Sequence, residues 1–175
     1  MDDDLLTLET RRRLYEAVRR TPGVGARELQ RAAGTGWGET VYHLGRLTAA
    51  GLVDRERDTH QDHYFARTVP RSDRDLLALV RSASARRLLL ALMERPGSTV
   101  PLLRVATGLS PGRLSVHLHR LIGTGVVRTG RSGRYRTFEV VDPPRVIRVL
   151  SAYPSSFGDG WVERLLDTWG ELLQP

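Results

Sequence analysis

Residues 41–53 read VYHLGRLTAAGLV, and residues 115–127 read SVHLHRLIGTGVV. Both fit the frame H-L-x-R-L-x-x-x-G-x-V, with the second copy 74 positions after the first. At that offset the match extends outward without a gap. It pairs Arg13 with Arg87, Leu14 with Leu88, Pro22-Gly23 with Pro96-Gly97, Leu29 with Leu103, Gly34 with Gly108, and Leu47 with Leu121. A period this long marks a duplicated domain rather than a solenoid, whose repeats run to roughly 20–50 residues.

Local rules give each copy its elements. In the first, Leu14, Ala17 and Val18 recur at helical spacing, and Pro22 ends that helix near Thr21. Ala26 to Ala33 reads as a second helix closed by Gly34. A third is expected from about Trp37 to Ala50, with Val41, Leu44 and Leu47 facing inward. Two β-rich runs, Leu52 to Arg57 and His63 to Thr68, then flank the turn DTHQD. The second copy repeats the plan with helices 86–95, 100–107 and 110–122 and strands 126–130 and 134–140. Ser110-Pro111 starts its third helix, Ser accepting free N–H groups and Pro sitting where no N–H is needed.

Three helices followed by a hairpin is the plan of a winged helix-turn-helix. There the third helix enters the major groove and the hairpin lies over flanking phosphates or the minor groove. The expected fold class is α+β, mostly helical, with two tandem winged helix-turn-helix domains at residues 1–69 and 85–141. Residues 70–84 read as a linker with helical character, and 142–175 as a C-terminal helical tail. In the tail, Asp142-Pro143-Pro144 breaks the chain before a helix from Arg145 to Ala152. A second helix is expected over about 160–173, where Trp161, Leu165, Trp169 and Leu172 form an apolar stripe. Such a stripe needs cover, and two covers are open: the chain's own domains, or a second copy in a homodimer.

Composition narrows the function classes. The chain has 175 residues, 40% of them apolar, which suffices for packed cores. No run approaches the roughly 18 apolar residues of a membrane span, and the start MDDDLLTLET is acidic where a signal peptide is basic and then apolar. A soluble, cytoplasmic, nucleoid-associated protein is the expectation. Without cysteine there is no disulfide, thiolate metal site or cysteine nucleophile. The net charge is +7, and all 27 basic residues are arginine, whose planar fork suits phosphate and guanine edges. A genome rich in G and C gives the same skew, so position says more than the total. Residues 85–141 hold 10 Arg against 2 acids, concentrating positive charge in the second copy.

PGVGARELQRAAGTGWGETVYHLGRLTAAGLV resembles winged-helix transcription regulators of archaea, related to the ArsR and MarR families. SVHLHRLIGTGVV resembles the S-x-H-L-x-x-L-x-x-x-G-x-V core of those families, and SSFGDGWVERLLDTWGEL is similar to the tail of tandem winged-helix proteins of halophilic archaea. The resemblance implies sequence-specific DNA binding and control of transcription, without enzymatic activity.

The residues that would carry this lie first on the third helix of the second copy. With Leu114, Leu118 and Leu121 inward, Arg113, Val116 and Arg120 project outward, flanked by Ser115 and His119. Arg113, Ser115 and His119 are the expected base readers, and Arg120 meets phosphate. The second wing, RTGRSGRYRTF, sets Arg128, Arg131, Arg134 and Arg136 around Ser132-Gly133 with Tyr135 among them. Strand alternation would point Arg134 and Arg136 together as a phosphate clamp. In the first copy Glu39 stands where Arg113 stands, and the turn carries Asp58 and Asp62. Thr40, Tyr42, Arg46, Arg55 and Arg57 remain DNA candidates there, in a weaker or differently oriented binder.

Asp58, His60, Asp62 and His63 have metal-ligand chemistry, but four neighbours on one tip rarely converge on one centre, and a solvated turn is the preferred reading. No metal or cofactor is expected. His43 and His117 hold equivalent places beside core leucines and read as packed, hydrogen-bonded histidines. No catalytic constellation follows a strand as such motifs require. Double-stranded DNA is the expected partner. The alternatives are a chromatin-like protein binding DNA without sequence choice, and a winged-helix interaction scaffold.

Overall fold

A computed structural model describes residues 6–58, 61–153, 156, 157, 160, 167 and 169. Two compact units emerge, one built on residues up to Ala78 and the other from Leu79 onward, with Ser156 and Phe157 returning to the first. Within the first unit, Ser156 Oγ donates to the Arg20 carbonyl at 2.6 Å.

The first unit runs α1 (Glu9–Arg20), α2 (Ala26–Ala33), α3 (Trp37–Ala49), β1 (Val53–Arg57) and β2 (Asp62–Ala66), then α4 (Arg71–Leu79) at its boundary. The second runs α5 (Ala83–Glu94), β3 (Ser98–Thr99), α6 (Val100–Thr107), α7 (Pro111–Gly123), β4 (Val127–Ser132), β5 (Tyr135–Val140) and α8 (Pro143–Ser151). The result is mixed α and β, mostly helical, with small antiparallel sheets.

The 74-residue offset holds almost residue for residue. It carries the bounds of α1, α2 and α3 onto those of α5, α6 and α7. The helix-ending glycines correspond too: Gly34 at φ 66° and Gly108 at φ 65° both adopt the left-handed conformation that closes a helix without strain. Hairpin registers agree, Val53 opposite Ala66 and Val127 opposite Val140. Even the short strand has its counterpart. Ser98 pairs with Phe138 in a three-stranded sheet, and at the same offset Val24 forms an isolated bridge to Tyr64. This third strand escapes sequence reading because two residues carry no periodicity.

Core positions correspond as well. Leu14, Val18, Leu29, Leu44, Leu47 and Val53 in the first unit match Leu88, Leu92, Leu103, Leu118, Leu121 and Val127 in the second, all nearly or fully inaccessible. Burying each such side chain is worth about 1.5–3 kcal/mol, so this set holds the three helices onto the hairpin. The duplication drifts only after the wing. Leu76, Leu77, Leu79 and Val80 are buried, as are Val146, Ile147, Val149 and Leu150, but here the offset is 70, one helical turn short. Residues 70–84, read as a linker, thus hold α4 and the start of α5, which opens at Ala83 rather than Arg86.

The inward face of α3 needs correction. Val41 is 48% exposed, and Thr40 is fully buried in its place. Helical spacing explains this: Leu114, Leu118 and Leu121 line α7, and subtracting 74 gives 40, 44 and 47. The Thr40 hydroxyl is satisfied locally by donating to the Gly36 carbonyl at 2.9 Å, with the Thr35 hydroxyl 2.6 Å away. Trp161, Leu165 and Leu172 of the expected C-terminal stripe lie outside the described residues, as does His60.

Candidate nucleic-acid interface

In the second unit α7 starts as expected. Ser110 Oγ accepts from Arg113 N at 3.5 Å, and Pro111 occupies the first turn. With Leu114, Leu118 and Leu121 buried, Arg113, Ser115, Val116 and His119 are exposed and Arg120 is half-buried. A polar helix face with one exposed aliphatic residue, Val116, therefore points away from the core.

Beside it stands the β4–β5 hairpin, closed by a two-residue turn. Gly133 at φ 59° supplies the first central position that such turns demand. Arg128, Arg131, Arg134, Tyr135 and Arg136 are all exposed. Arg128 is engaged: its Nε donates to Glu139 Oε1 at 2.7 Å across the strands. Arg134 differs from expectation, because it sits in the turn rather than on β5 and so does not alternate with Arg136. Its Nη2 donates to the Tyr135 hydroxyl at 2.8 Å, and the guanidinium lies 5.0 Å from the Tyr135 ring centre. Arg136 instead pairs in register with Arg131, placing two cations directly opposite one another. Like charges so placed repel, and among the described residues neither has a carboxylate partner. Arg136 shares a face with Phe138 and lies 5.4 Å from its ring centre.

The first unit shows the same frame differently furnished. Tyr42 is 60% exposed on α3, and Arg46 is exposed beside it. Thr40, expected as a DNA contact, is buried and faces the core. Trp37, where the second copy has Pro111, lies 3.9 Å under the Arg27 guanidinium. Arg55 and Arg57 are exposed on β1, with Arg55 4.0 Å from Asp62 and Arg57 paired in register with Asp62. At the offset this last pair corresponds to Arg131 and Arg136, so opposite charges face in one wing and like charges in the other.

Sequence reasoning missed Arg74. It is 3% exposed on α4, donating from Nη2 to Asp54 and from Nη1 to Glu56, each at 2.7 Å, and from Nε to the Val69 carbonyl at 3.1 Å. Paired carboxylates raise its pKa against the lowering effect of burial, so it is a fixed structural cation. One signal was available: an arginine in the turn just before the apolar run of α4, with Asp54 and Glu56 alternating on β1.

The turn acids also differ from expectation. His63 is 3% exposed, not solvated; its Nδ1 donates to the Gly23 carbonyl at 2.7 Å, and Nε2 lies 3.2 Å from Asp58 Oδ2. Both ring nitrogens thus face oxygens of the fold. Among the described residues no three acids or histidines converge as a metal site.

His43 is buried and His117 half-buried, as packed residues. Their Nδ1 atoms lack the expected hydrogen bond among the described residues. Burial pushes both imidazoles below the ordinary value of 6.5. Arg11 reinforces this for His43 against the opposing Glu39, whose Oε1 is 3.9 Å from Nε2; Arg120 and Arg113 reinforce it for His117.

Residues 8–77 match a family model described as HTH_HVO_0163_N, an N-terminal HTH domain. The match covers the first unit, so the helix-turn-helix identification rests on the copy with the less cationic wing. No curated protein matches the chain. Among solved structures, an ArsR family transcriptional regulator is similar at 20% identity over 59% of this chain and 95% of its own, with a TM-score of 0.39. ScpB from Mycobacterium tuberculosis is similar at 19% identity over 76% of this chain and 90% of its own, with a TM-score of 0.32. The DIP2311 protein from Corynebacterium diphtheriae is similar at 15% identity over 75% of this chain, which spans 26% of that protein, with a TM-score of 0.30. Among the described residues no helix is long and apolar enough to cross a membrane.

Proposed function

We propose that the chain is a DNA-binding transcription regulator of archaeal type, related to the ArsR and MarR regulators, built from two tandem winged helix-turn-helix domains. It acts in the cytoplasm on the nucleoid without enzymatic activity or cofactor. The helix-turn-helix match over residues 8–77 supports the class. The observation that carries the reading is the second unit's wing, where Arg131 and Arg136 face each other without a carboxylate partner among the described residues, beside the exposed Arg113, Ser115 and His119 of α7. Two opposed cations cost stability in the free protein, and a phosphate between or beside them removes that cost.

In this reading α7 enters the major groove. Arg113, Ser115 and His119 reach base edges, Val116 meets a thymine methyl, and Arg120 meets the backbone. Arg131, Arg134, Tyr135 and Arg136 hold phosphates or line the minor groove, with Arg128 joining them when Glu139 releases it. The first unit adds Tyr42 of α3 and Arg46, Arg55 and Arg57 as a second, weaker contact. Homodimerisation through the C-terminal helix would double the operator contact.

Selection of bound fragments from the source genome, followed by anisotropy titration over a salt series, tests the reading. Selected duplexes should bind at least about a thousandfold more tightly than random ones. Equal affinity at every salt concentration would make the chain a chromatin-like binder instead. One observation favours a scaffold as second reading. On α6, Leu102 is 46% and Val105 87% exposed, where α2 carries Glu28 and Arg31. Partner capture that survives Arg131→Ala, Arg134→Ala and Arg136→Ala, with no DNA binding by the intact chain, would select it.

A further inference from the structure

Ser132 ends β4 at the tip of the second wing, where it closes the two-residue turn opposite Tyr135. It is exposed, and among the described residues its hydroxyl has no hydrogen-bond partner. Arginines surround it along the chain: Arg131 precedes it, Arg134 follows the turn glycine, and Arg136 lies opposite Arg131. None of these three has a carboxylate partner among the described residues. Opposed residues of a hairpin share a face, so Ser132 lies with Tyr135, whose hydroxyl accepts from Arg134 Nη2 at 2.8 Å. A guanidinium is thereby held on the side of the hairpin to which the Ser132 hydroxyl belongs. Tyr135 and Thr137 carry the other hydroxyls of that face, but the first is engaged by Arg134 and the second is half-buried.

The duplication supplies an internal control. At the 74-residue offset Ser132 corresponds to Asp58. In the first wing an anion therefore stands at this position already, and the fold there answers it. Asp58 Oδ1 accepts from Gln61 N at 2.9 Å, and Asp58 Oδ2 lies 3.2 Å from His63 Nε2. The two wings keep the same register, so the frame accepts negative charge at its tip. Where the first copy has a permanent carboxylate, the second has a hydroxyl, which is neutral when free and anionic when it carries a phosphate ester.

We propose that Ser132 is a phosphoacceptor, and that its phosphorylation releases the second wing from DNA. In the modifying kinase Ser132 Oγ attacks the γ-phosphorus of a nucleoside triphosphate and the bond to the bridging oxygen breaks. The nucleoside diphosphate leaves, and the hydroxyl proton passes to the kinase's base. The new ester brings about −1.5 to −2 of charge at pH 7 and three acceptor oxygens. Arg134 on the same side, with Arg131 and Arg136 at the tip, would answer them by charge-assisted hydrogen bonds. Guanidinium groups that hold duplex phosphates in the free wing are then occupied by an internal one, and the tip repels the polyanion. The release rests on the DNA-binding reading above; the phosphoacceptor does not.

The two parts are tested separately. The full chain is incubated with extract of its source cells and ATP labelled at the γ-phosphoryl group, and the label is located by tandem mass spectrometry. Label on Ser132 is expected; Ser132→Ala should lose it and Tyr135→Phe should keep it. No label, or label that survives Ser132→Ala, overturns the acceptor. In a second experiment the full chain is made with phosphoserine encoded at position 132. The phosphorus resonance should titrate below the roughly pH 6 of an unperturbed phosphoserine, because neighbouring guanidinium groups favour the dianion. A midpoint at or above that value overturns the pairing with the wing arginines. The phosphorylated chain should bind its selected duplex about tenfold or more weakly than the parent, with a salt slope smaller by roughly 2, whereas Ser132→Ala should bind as the parent does. Unchanged DNA affinity on phosphorylation overturns the release. A chain labelled on Ser132 that binds DNA in neither form upholds the acceptor and overturns the regulator, and the release with it.

Discussion

The two wings are built on one register and charged in opposite ways. In the first, Arg57 faces Asp62, Arg74 holds Asp54 and Glu56, and Asp58 approaches His63, so its charges are largely answered within the fold. In the second, among the described residues, Arg128 alone finds a carboxylate, in Glu139, while Arg131 faces Arg136. A scaffold can therefore be copied intact while its surface charge is reassigned. In the proposed reading, the copy that tolerates repulsion in the free state is the one that gains from a polyanion.

The largest effect should come from the shared scaffold. Leu47→Ala and Leu121→Ala each remove a fully buried leucine at equivalent places. Each should cost about 2–5 kcal/mol by urea denaturation. Costs that differ by more than the spread of that range would break the equivalence of the two cores.

The wings should then separate on DNA. Replacing Arg131, Arg134 and Arg136 by Ala should reduce the slope of log affinity against log salt by roughly 2–3, at about 0.9 per lost phosphate contact. Arg55→Ala with Arg57→Ala should reduce it by less. Equal slopes from the two variants would end the asymmetry. Next comes the first wing's internal brace. Arg74→Ala leaves Asp54 and Glu56 without their partner, but both are about one-third exposed or more, so solvent softens the loss. A cost of about 1–3 kcal/mol is expected, with DNA affinity changed less than in the triple variant.

A charge swap sharpens the contrast. Arg136→Asp gives the second wing the first wing's pairing, and the melt should rise by the equivalent of about 0.2–1 kcal/mol while DNA binding weakens. A variant that melts lower would show that the opposed arginines are not a cost. The smallest effect concerns pH. His43 and His117 have folded pKa values below the ordinary 6.5, so the unfolded chain binds more protons. Their contribution to stability is present above 6.5 and is lost as pH falls through that value toward the lower folded pKa. The melting temperature should drop between pH 7 and pH 5, and His43→Gln with His117→Gln should flatten that slope.

Much of this frame is legible in the amino-acid sequence. The spans of α2 and α6 follow from apolar spacing and a closing glycine, both local properties of a chain. Errors arose where two local cues competed. Apolar Val41 invites an inward place, yet the stripe through Leu44 and Leu47 assigns that place to Thr40, whose hydroxyl donates back to the Gly36 carbonyl. Arg134 fits the strand pattern of its neighbours, but the glycine turn claims it.

The repeat and the excess of arginine in residues 85–141 are thus determined by the sequence, because spacing and net charge act over a few residues at a time. Which charges are answered was decided by the tertiary structure. Arg74 reaches Asp54 and Glu56 across 20 and 18 residues, and His63 reaches Gly23 across 40. Electrostatic pairing depends on distance in space and on exclusion of water, and neither is written along the chain.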